Sequence, residues 1–177
     1  IFTRLNEHNR LKLTAILVLS LSLSLSLIAF RIYYTSDLGY AFLVWNLVLA
    51  FIPFMLSSLA IMGHNHIKSK IFLFVLTVSW LLFFPNAPYI FTDFFHLSER
   101  PDAPFWYDLS ILISCAWNGL MLGFISLHDM QIVINKFVGK LYGWMFTVVS
   151  IILGSFGIYL GRYERFNSWD VITNPLA

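Results

Sequence analysis

Residues 71–91 read IFLFVLTVSWLLFFPNAPYIF, and this stretch decides the fold. It contains no charged side chain and is long enough to cross a bilayer, whose hydrocarbon core of about 30 Å requires roughly 20 apolar residues in a helix. Four further uncharged runs of comparable length cover residues 13–30, 39–62, 109–127 and 141–161. The sequence therefore predicts an all-α protein, a polytopic transmembrane helical bundle of five spans with a broken third helix, in which residues 1–177 form a single domain.

The composition excludes the common soluble classes of protein. Of the 177 residues, 59% are hydrophobic and 11% are charged, whereas roughly a quarter of the residues in a soluble domain are charged. The net charge of +2 and the single cysteine argue against a nucleic-acid binder and a disulfide scaffold. We therefore expect membrane lipids as partners, and no nucleic acid.

The first run alternates leucine and serine from Leu19 to Leu27, which is the period of a half-buried strand. An isolated strand would leave its backbone groups unpaired in lipid, whereas a helix satisfies them internally. We therefore predict a helix in which Ser20 and Ser24 share a face that suits close helix packing. A signal peptide is the alternative, but the length of the run and its exit through Arg31-Ile32-Tyr33-Tyr34 favour a retained helix.

Lysine and arginine are unevenly divided between the two sides of the predicted bundle. One side holds Arg4, Arg10, Lys12, Lys68, Lys70, Lys136 and Lys140, and the other holds Arg31, Arg100, Arg162 and Arg165. Because cytoplasmic loops have an excess of these residues, we predict a cytoplasmic N-terminus. The chain begins at Ile1 without Met, so we expect the natural protein to be longer, and the sequence leaves open whether a further helix follows Ala177.

The third run is interrupted near its end by Phe84-Pro85-Asn86-Ala87-Pro88-Tyr89. Proline lacks an N–H and its ring clashes with the preceding turn of a helix. Residues 71–84 alone would form about 21 Å of helix, too short to cross a bilayer. Unwound backbone at membrane depth needs protein or a water-filled cavity to receive its polar groups. The break therefore indicates a cavity or a packed polar site, and a plain proline kink is the alternative.

Three titratable side chains follow the break. Asp93 and His96 are three residues apart and share a face of a short helix, and Asp108 falls early in the next helix, which Pro104 can begin. Helices joined by a short loop are neighbours, so we expect Asp93, His96 and Asp108 to converge. Two carboxylates and an imidazole predict a divalent metal site or an acid/base cluster, with Asn86 shaping the broken turn. Alternatively, the aspartates are favourable charges at helix N-termini and His96 hydrogen-bonds at the interface.

Two arginines, Arg162 and Arg165, follow the fifth run on the same side as these three residues. They share a face if the helix continues for one more turn. A pair of guanidinium groups can bind a phosphate or carboxylate, such as a lipid head group, or can neutralise the nearby aspartates. The alternative is that the arginines only reach the interface beside a belt of aromatic side chains.

The remaining polar residues indicate packing more than chemistry. Asn46 and Asn118 are predicted to lie in the middle of the membrane, where we expect them to make interhelical hydrogen bonds. Two G-x-x-x-G spacings, residues 119–123 and 157–161, predict close backbone approach. The histidines 64, 66 and 128 lie at the ends of spans and not within facing helices, which argues against a haem site. We find no serine elbow, phosphate loop or zincin motif.

Several blocks of this sequence resemble bacterial membrane proteins grouped as the domain-of-unknown-function 1361 family. The blocks are residues 84–89, 92–93, 96–97, 106–108, 119–131, 156–162 and 167–170, so the resemblance covers most of the chain after about residue 70. It implies a multi-pass protein of the bacterial cytoplasmic (inner) membrane, with a further hydrophobic segment after the last block. The activity of the family is unknown, so the resemblance implies no role for any residue.

Three functions are compatible with these features. The first is a site that binds a divalent cation or an anionic lipid phosphate or carboxylate group, with Asn86, Asp93, His96, Asp108, Arg162 and Arg165 as its residues. The second is a non-catalytic subunit of a larger membrane complex, in contact with lipid or pigment. The third is a small transporter, in which Asn46 and Asn118 would line a polar path. The sequence does not decide whether the protein is an enzyme.

Overall fold

The computed structural model describes residues 2–63 and 70–164 of the chain. These residues form six α-helices and one 3-10 helix, and no β-strand. The α-helices are α1 (Phe2–Thr35), α2 (Phe42–Gly63), α3 (Lys70–Phe83), α4 (Asn86–Tyr89), α5 (Phe105–Phe137) and α6 (Lys140–Tyr163), and the 3-10 helix covers Ile90–His96. Five segments are long and apolar enough to cross a membrane, and the third of them, Ile71–His96, contains the break. The predicted all-α multi-pass membrane protein with five spans is confirmed.

The serine-rich part of α1 is helical, as predicted. Ser24 is fully buried, and its hydroxyl lies 2.6 Å from the hydroxyl of Ser114 in α5. Asn118 of α5 donates its side-chain amide to the Ser24 hydroxyl (2.8 Å) and to the Ser20 carbonyl (3.2 Å). Ser22 lies on the exposed face and donates to a carbonyl of its own helix. The Leu-Ser alternation therefore places one serine face against α5 and the other toward lipid.

The third span is broken at its two prolines. α3 ends at Phe83 after 14 residues, and one turn of α4 and the 3-10 helix complete the span. Pro85 and Pro88 have no N–H to donate, so carbonyls of the preceding turn need other partners. The Asn86 side chain donates to the Phe83 carbonyl (3.0 Å), and the Ala87 N–H donates to the Phe84 carbonyl (3.2 Å). A side-chain amide thus replaces a backbone donor in the break.

Glycine residues of α5 and α6 bring both helices close to the break. A Cβ added at Gly119 of α5 would lie 2.5 Å from the carbonyl oxygen of Ala87, and one added at Gly157 of α6 would lie 2.7 Å from Cγ of Pro85. Real Cβ atoms do not approach other atoms this closely, so only glycine fits without a shift of the backbone or ring. The predicted close approach at both glycine motifs is confirmed at these two positions.

Ion pairs connect the helices at both ends of the bundle. At one end, Arg10 of α1 donates to Asp129 of α5 (2.6 Å) and to Ser58 of α2 (2.9 Å). Arg31 lies 21 residues further along α1, about 31 Å away at 1.5 Å per residue. We call these the Arg10 end and the Arg31 end. The loop between α1 and α2 and the beginning of α5 lie at the Arg31 end, whereas the break lies beside Gly119 and Gly123, in the middle of α5.

Candidate functional site

Asp93 is the buried centre of a polar cluster toward the Arg31 end. The 3-10 helix places this side chain inside the bundle, where the residue as a whole is 1% exposed. Asn46, one turn into α2, donates its amide N–H to Asp93 Oδ2 at 2.7 Å. Arg162, in the last turn of α6, has Nη1 3.9 Å from Asp93 Oδ1. The carboxylate therefore interacts with a neutral donor on one oxygen and a cation near the other.

Arg162 also contacts the other predicted residue of the 3-10 helix. Its Nη1 lies 3.2 Å from Nε2 of His96. Because a guanidinium can only donate, Nε2 accepts this bond, and His96 is then neutral with its proton on Nδ1. The Arg162 guanidinium also lies over the ring of Phe95, 5.1 Å from its centre. We call Asn46, Asp93, His96 and Arg162 the Asp93 cluster.

Arg31 is the centre of a second cluster, which the sequence did not reveal. Its side chain is 1% exposed, and its guanidinium donates to both oxygens of Asp108, from Nε at 2.8 Å and from Nη2 at 3.3 Å. This two-bond geometry is the strong form of an arginine–carboxylate pair. The side chain of Asp108 is also 1% exposed. The pair links α1 to the first turn of α5.

Further charges surround this pair at the surface of the bundle. Asp37 lies 3.3 Å from Arg31 and 3.0 Å from Arg100, so its carboxylate bridges the two guanidinium groups. Tyr40 is fully buried between them, with each guanidinium carbon 5.0 Å from the ring centre. Burial, followed by the charge of Asp108, raises the pKa of the Tyr40 hydroxyl. We call Arg31, Asp37, Tyr40, Arg100 and Asp108 the Arg31 cluster.

The predicted metal-binding set is divided between the two clusters. Asp93 and His96 both lie at Arg162, but Asp108 is bonded to Arg31 and belongs to the other cluster. Among residues 2–63 and 70–164, no group of three or more His, Cys, Asp and Glu side chains could hold a metal ion. The expectation that Asp93, His96 and Asp108 converge was therefore wrong for Asp108, because a buried arginine from α1 takes this carboxylate. Arg165 lies outside the described residues.

The two amides expected within spans both make interhelical hydrogen bonds, as predicted. Asn118 bonds to α1 near the middle of the bundle. Asn46 lies close to the end of α2 and bonds to Asp93, so it belongs to the Arg31 end and not to the centre of the membrane. These two residues make separate interactions with different helices.

A cleft of about 280 Å³ opens between α2, the break and α6. Its walls are mostly apolar, and Asn46 and Asn86 contribute polar side chains. The residues that line it are Trp45, Asn46, Leu49, Leu81, Leu82, Pro85, Asn86, Tyr89, Leu153, Phe156, Gly157, Leu160 and Gly161. The break thus coincides with a cavity, one of the outcomes that the sequence predicted. Asn46 belongs both to the cleft and to the Asp93 cluster, so the two are adjacent.

The comparison with protein families agrees with the resemblance noted in the sequence. The model of the family described as "Protein of unknown function (DUF1361)" matches residues 45–177. The chain belongs to the DUF1361 family. No curated protein and no solved structure matches the chain.

The DUF1361 match contains the whole Asp93 cluster and all the residues that line the cleft. It begins at residue 45, within α2, and so reaches further toward the N-terminus than the blocks that first indicated the family. Arg31 and Asp37 precede the matched region. Within the described chain, the DUF1361 region therefore holds a complete polar cluster beside a cleft, and α1 contributes the cation of the second cluster.

Proposed function

We propose that the Asp93 cluster binds an anionic phosphate or carboxylate group at the membrane surface. The observation that supports this proposal is the exposure of Arg162, together with the hydrogen bonds that its guanidinium makes. Its side chain is 17% exposed, whereas that of Asp93 is 2% exposed, so an incoming group meets the guanidinium first. A guanidinium has five N–H donors, and the polar contacts of Arg162 within the described residues involve Nη1. Donors remain for a phosphate or carboxylate, which a guanidinium can bind with two parallel bonds.

The contacts favour an anion over a divalent cation. Divalent cations such as Mg²⁺ and Ca²⁺ need several oxygen ligands, but Asp108 is bonded to Arg31 and one oxygen of Asp93 is bonded to Asn46. The cation nearest to Asp93 is Arg162, which would repel a metal ion at this position. Asp93 instead lies on the buried side of Arg162 and orients its guanidinium. The Phe95 ring packs against one face of the guanidinium.

The proposal predicts that Arg162→Gln weakens the binding of an anionic lipid. Hydrogen bonds to a charged group contribute about 1.5–3 kcal/mol, so we expect at least a roughly tenfold loss of affinity for phosphatidylglycerol. Native mass spectrometry of the protein in detergent measures this affinity, with phosphatidylcholine as the neutral lipid. Arg100→Gln is the matched control, because it removes a partly exposed arginine at the same end of the bundle and leaves the Asp93 cluster intact.

Loss of Arg162 also leaves the buried Asp93 without a cation, which can destabilise the fold. The double variant Asp93→Asn with Arg162→Gln removes both charges and avoids this problem. It should fold and still fail to select phosphatidylglycerol. Unchanged selection in either Arg162 variant, or equal binding of phosphatidylglycerol and phosphatidylcholine by the natural chain, would refute the proposal.

We also propose, from the distribution of lysine and arginine, that the Arg31 end faces away from the cytoplasm of a bacterial cell. With this orientation the Asp93 cluster meets lipid head groups of the outer leaflet of the inner membrane. Lysine and arginine are expected in excess on the cytoplasmic side, and the predicted division is seven against four. The test of this orientation is given in the Discussion.

A further inference from the structure

We infer that the cleft beside the Asp93 cluster holds a hydrocarbon chain of the same molecule whose anionic group binds Arg162. The ligand is then an anionic membrane lipid and not a dissolved anion. This inference rests on the proposed function and adds to it the class of ligand and the place of its apolar part.

The first argument is the position and lining of the cleft. All of its residues lie in membrane-spanning segments, so its natural surroundings are lipid chains. Leu49 of α2, Leu82 of α3 and Leu153, Phe156 and Leu160 of α6 form apolar walls. A hydrocarbon chain can pack against such walls without leaving polar groups unpaired, whereas a dissolved anion would lose its hydration there.

The second argument is the geometry of α6 along the cleft. The lining residues of this helix extend from Leu153 to Gly161, a length of about 12 Å at 1.5 Å per residue. Gly157 and Gly161 present no side chain to the cleft. Arg162 is the next residue of α6, and its guanidinium lies 3.9 Å from Asp93, whose other oxygen accepts a bond from the cleft residue Asn46. The guanidinium therefore lies beside the end of the cleft.

The third argument is the shared residue Asn46. Its amide has two N–H donors and one acceptor oxygen, and in the described residues one N–H donates to Asp93. The residue also lines the cleft, so its second N–H is suited to an ester carbonyl or a hydroxyl between a head group and a chain. Along the site, the guanidinium of Arg162 is therefore followed by the amide of Asn46 and then by the apolar cleft. This order matches the head group, the linker and the chain of a lipid.

The test compares two lipids with the same head group and different chains. Dioleoyl phosphatidylglycerol and dihexanoyl phosphatidylglycerol are titrated against the full chain in detergent, and binding is read by native mass spectrometry. We expect the long-chain lipid to bind at least tenfold more tightly. Leu153→Trp fills the cleft and should reduce this preference to less than threefold. Ile152→Trp is the matched control, since Ile152 is 62% exposed and does not line the cleft, and it should retain the preference.

The outcomes separate this inference from the proposed function. If Leu153→Trp keeps the full chain-length preference while Arg162→Gln loses phosphatidylglycerol, the inference is refuted and the proposed function remains. If Leu153→Trp loses the preference while Arg162→Gln binds normally, the anion site is refuted, and the inference that depends on it fails as well. If Leu153→Trp instead converts a dimer to a monomer in the mass spectrum, the cleft is occupied by a second copy and the inference is wrong.

Discussion

At the scale of single residues, the Arg31–Asp108 pair is an interaction on which stability depends strongly. Both side chains are 1% exposed, and burying a charge in a protein is costly unless it is paired and hydrogen-bonded. Removing one partner of a buried pair typically costs about 3–5 kcal/mol, because it leaves the other charge uncompensated. Replacing both partners by apolar residues is often nearly neutral. The pair is therefore sensitive to single substitutions and tolerant of a double one.

We predict that Arg31→Met lowers the free energy of unfolding by about 3–5 kcal/mol, and that Arg31→Met with Asp108→Leu recovers most of this loss. Unfolding in mixed micelles with increasing denaturing detergent measures the difference. Arg100→Met is the control, because Arg100 is 29% exposed and exposed pairs contribute about 1 kcal/mol or less. A single variant as stable as the natural chain would show that Asp108 has another partner.

At the scale of helices, the effect of a proline depends on whether the backbone groups that it leaves unpaired find other partners. α2 continues through Pro53 without interruption, whereas the third span is interrupted before Pro85 and Asn86 and continues as α4 and the 3-10 helix. Asn86 and the close approach of Ala87 to Gly119 stabilise this broken form. The break is therefore part of the packed structure, and glycine at position 119 is required by the nearby carbonyl of Ala87.

We predict that Gly119→Ala destabilises the protein by about 1–3 kcal/mol, the usual cost of overpacking. The matched variant is Gly123→Ala, one turn along the same helix face. Its new methyl group would lie 3.2 Å from a side-chain atom, Cβ of Ala87, whereas the methyl group at position 119 would lie 2.5 Å from a backbone oxygen. The same unfolding measurement compares them. An equal or greater loss for Gly123→Ala would contradict the assigned packing of the break.

The features that the sequence could predict are those set by near neighbours in the chain. Uncharged runs, the proline break and the pairing of Asp93 with His96 at one site all depend on residues a few positions apart. The Arg31–Asp108 bond joins residues 77 positions apart, and the Asn46–Asp93 bond joins residues 47 positions apart. No local spacing selects these partners. A signal for Arg31 existed, because an arginine at the end of a span near several aspartates needs a carboxylate partner.

The boundaries of α5 also depend on distant residues, so the local sequence did not predict them. The uncharged run predicted residues 109–127, but the helix covers Phe105–Phe137. Asp108 and Asp129 lie within it because Arg31 and Arg10 of α1 neutralise them. An uncharged run therefore underestimates a helix whose charged ends are paired with another helix. At 33 residues, α5 is about 50 Å long and extends beyond a hydrocarbon core of about 30 Å.

At the scale of the whole molecule, orientation decides which leaflet would supply the lipid that we propose for the Asp93 cluster. Ser98, in the loop between the 3-10 helix and α5, is exposed at the Arg31 end, and Val138, in the turn between α5 and α6, is 53% exposed at the Arg10 end. The one cysteine, Cys115, is buried and can be replaced by alanine to give a background without thiols. Single cysteines at positions 98 and 138 then report the two ends independently.

We predict that Ser98→Cys reacts with a thiol reagent that does not cross the membrane when it is added to intact bacterial cells freed of their outer membrane. Val138→Cys should react only after the cells are lysed. The extent of labelling is read as a mass shift on a gel, and labelling of both variants after lysis shows that each thiol is accessible. The reverse pattern would place the Asp93 cluster at the cytoplasmic surface. The proposed lipid would then come from the inner leaflet, because Asn46 belongs to the cluster and also lines the cleft.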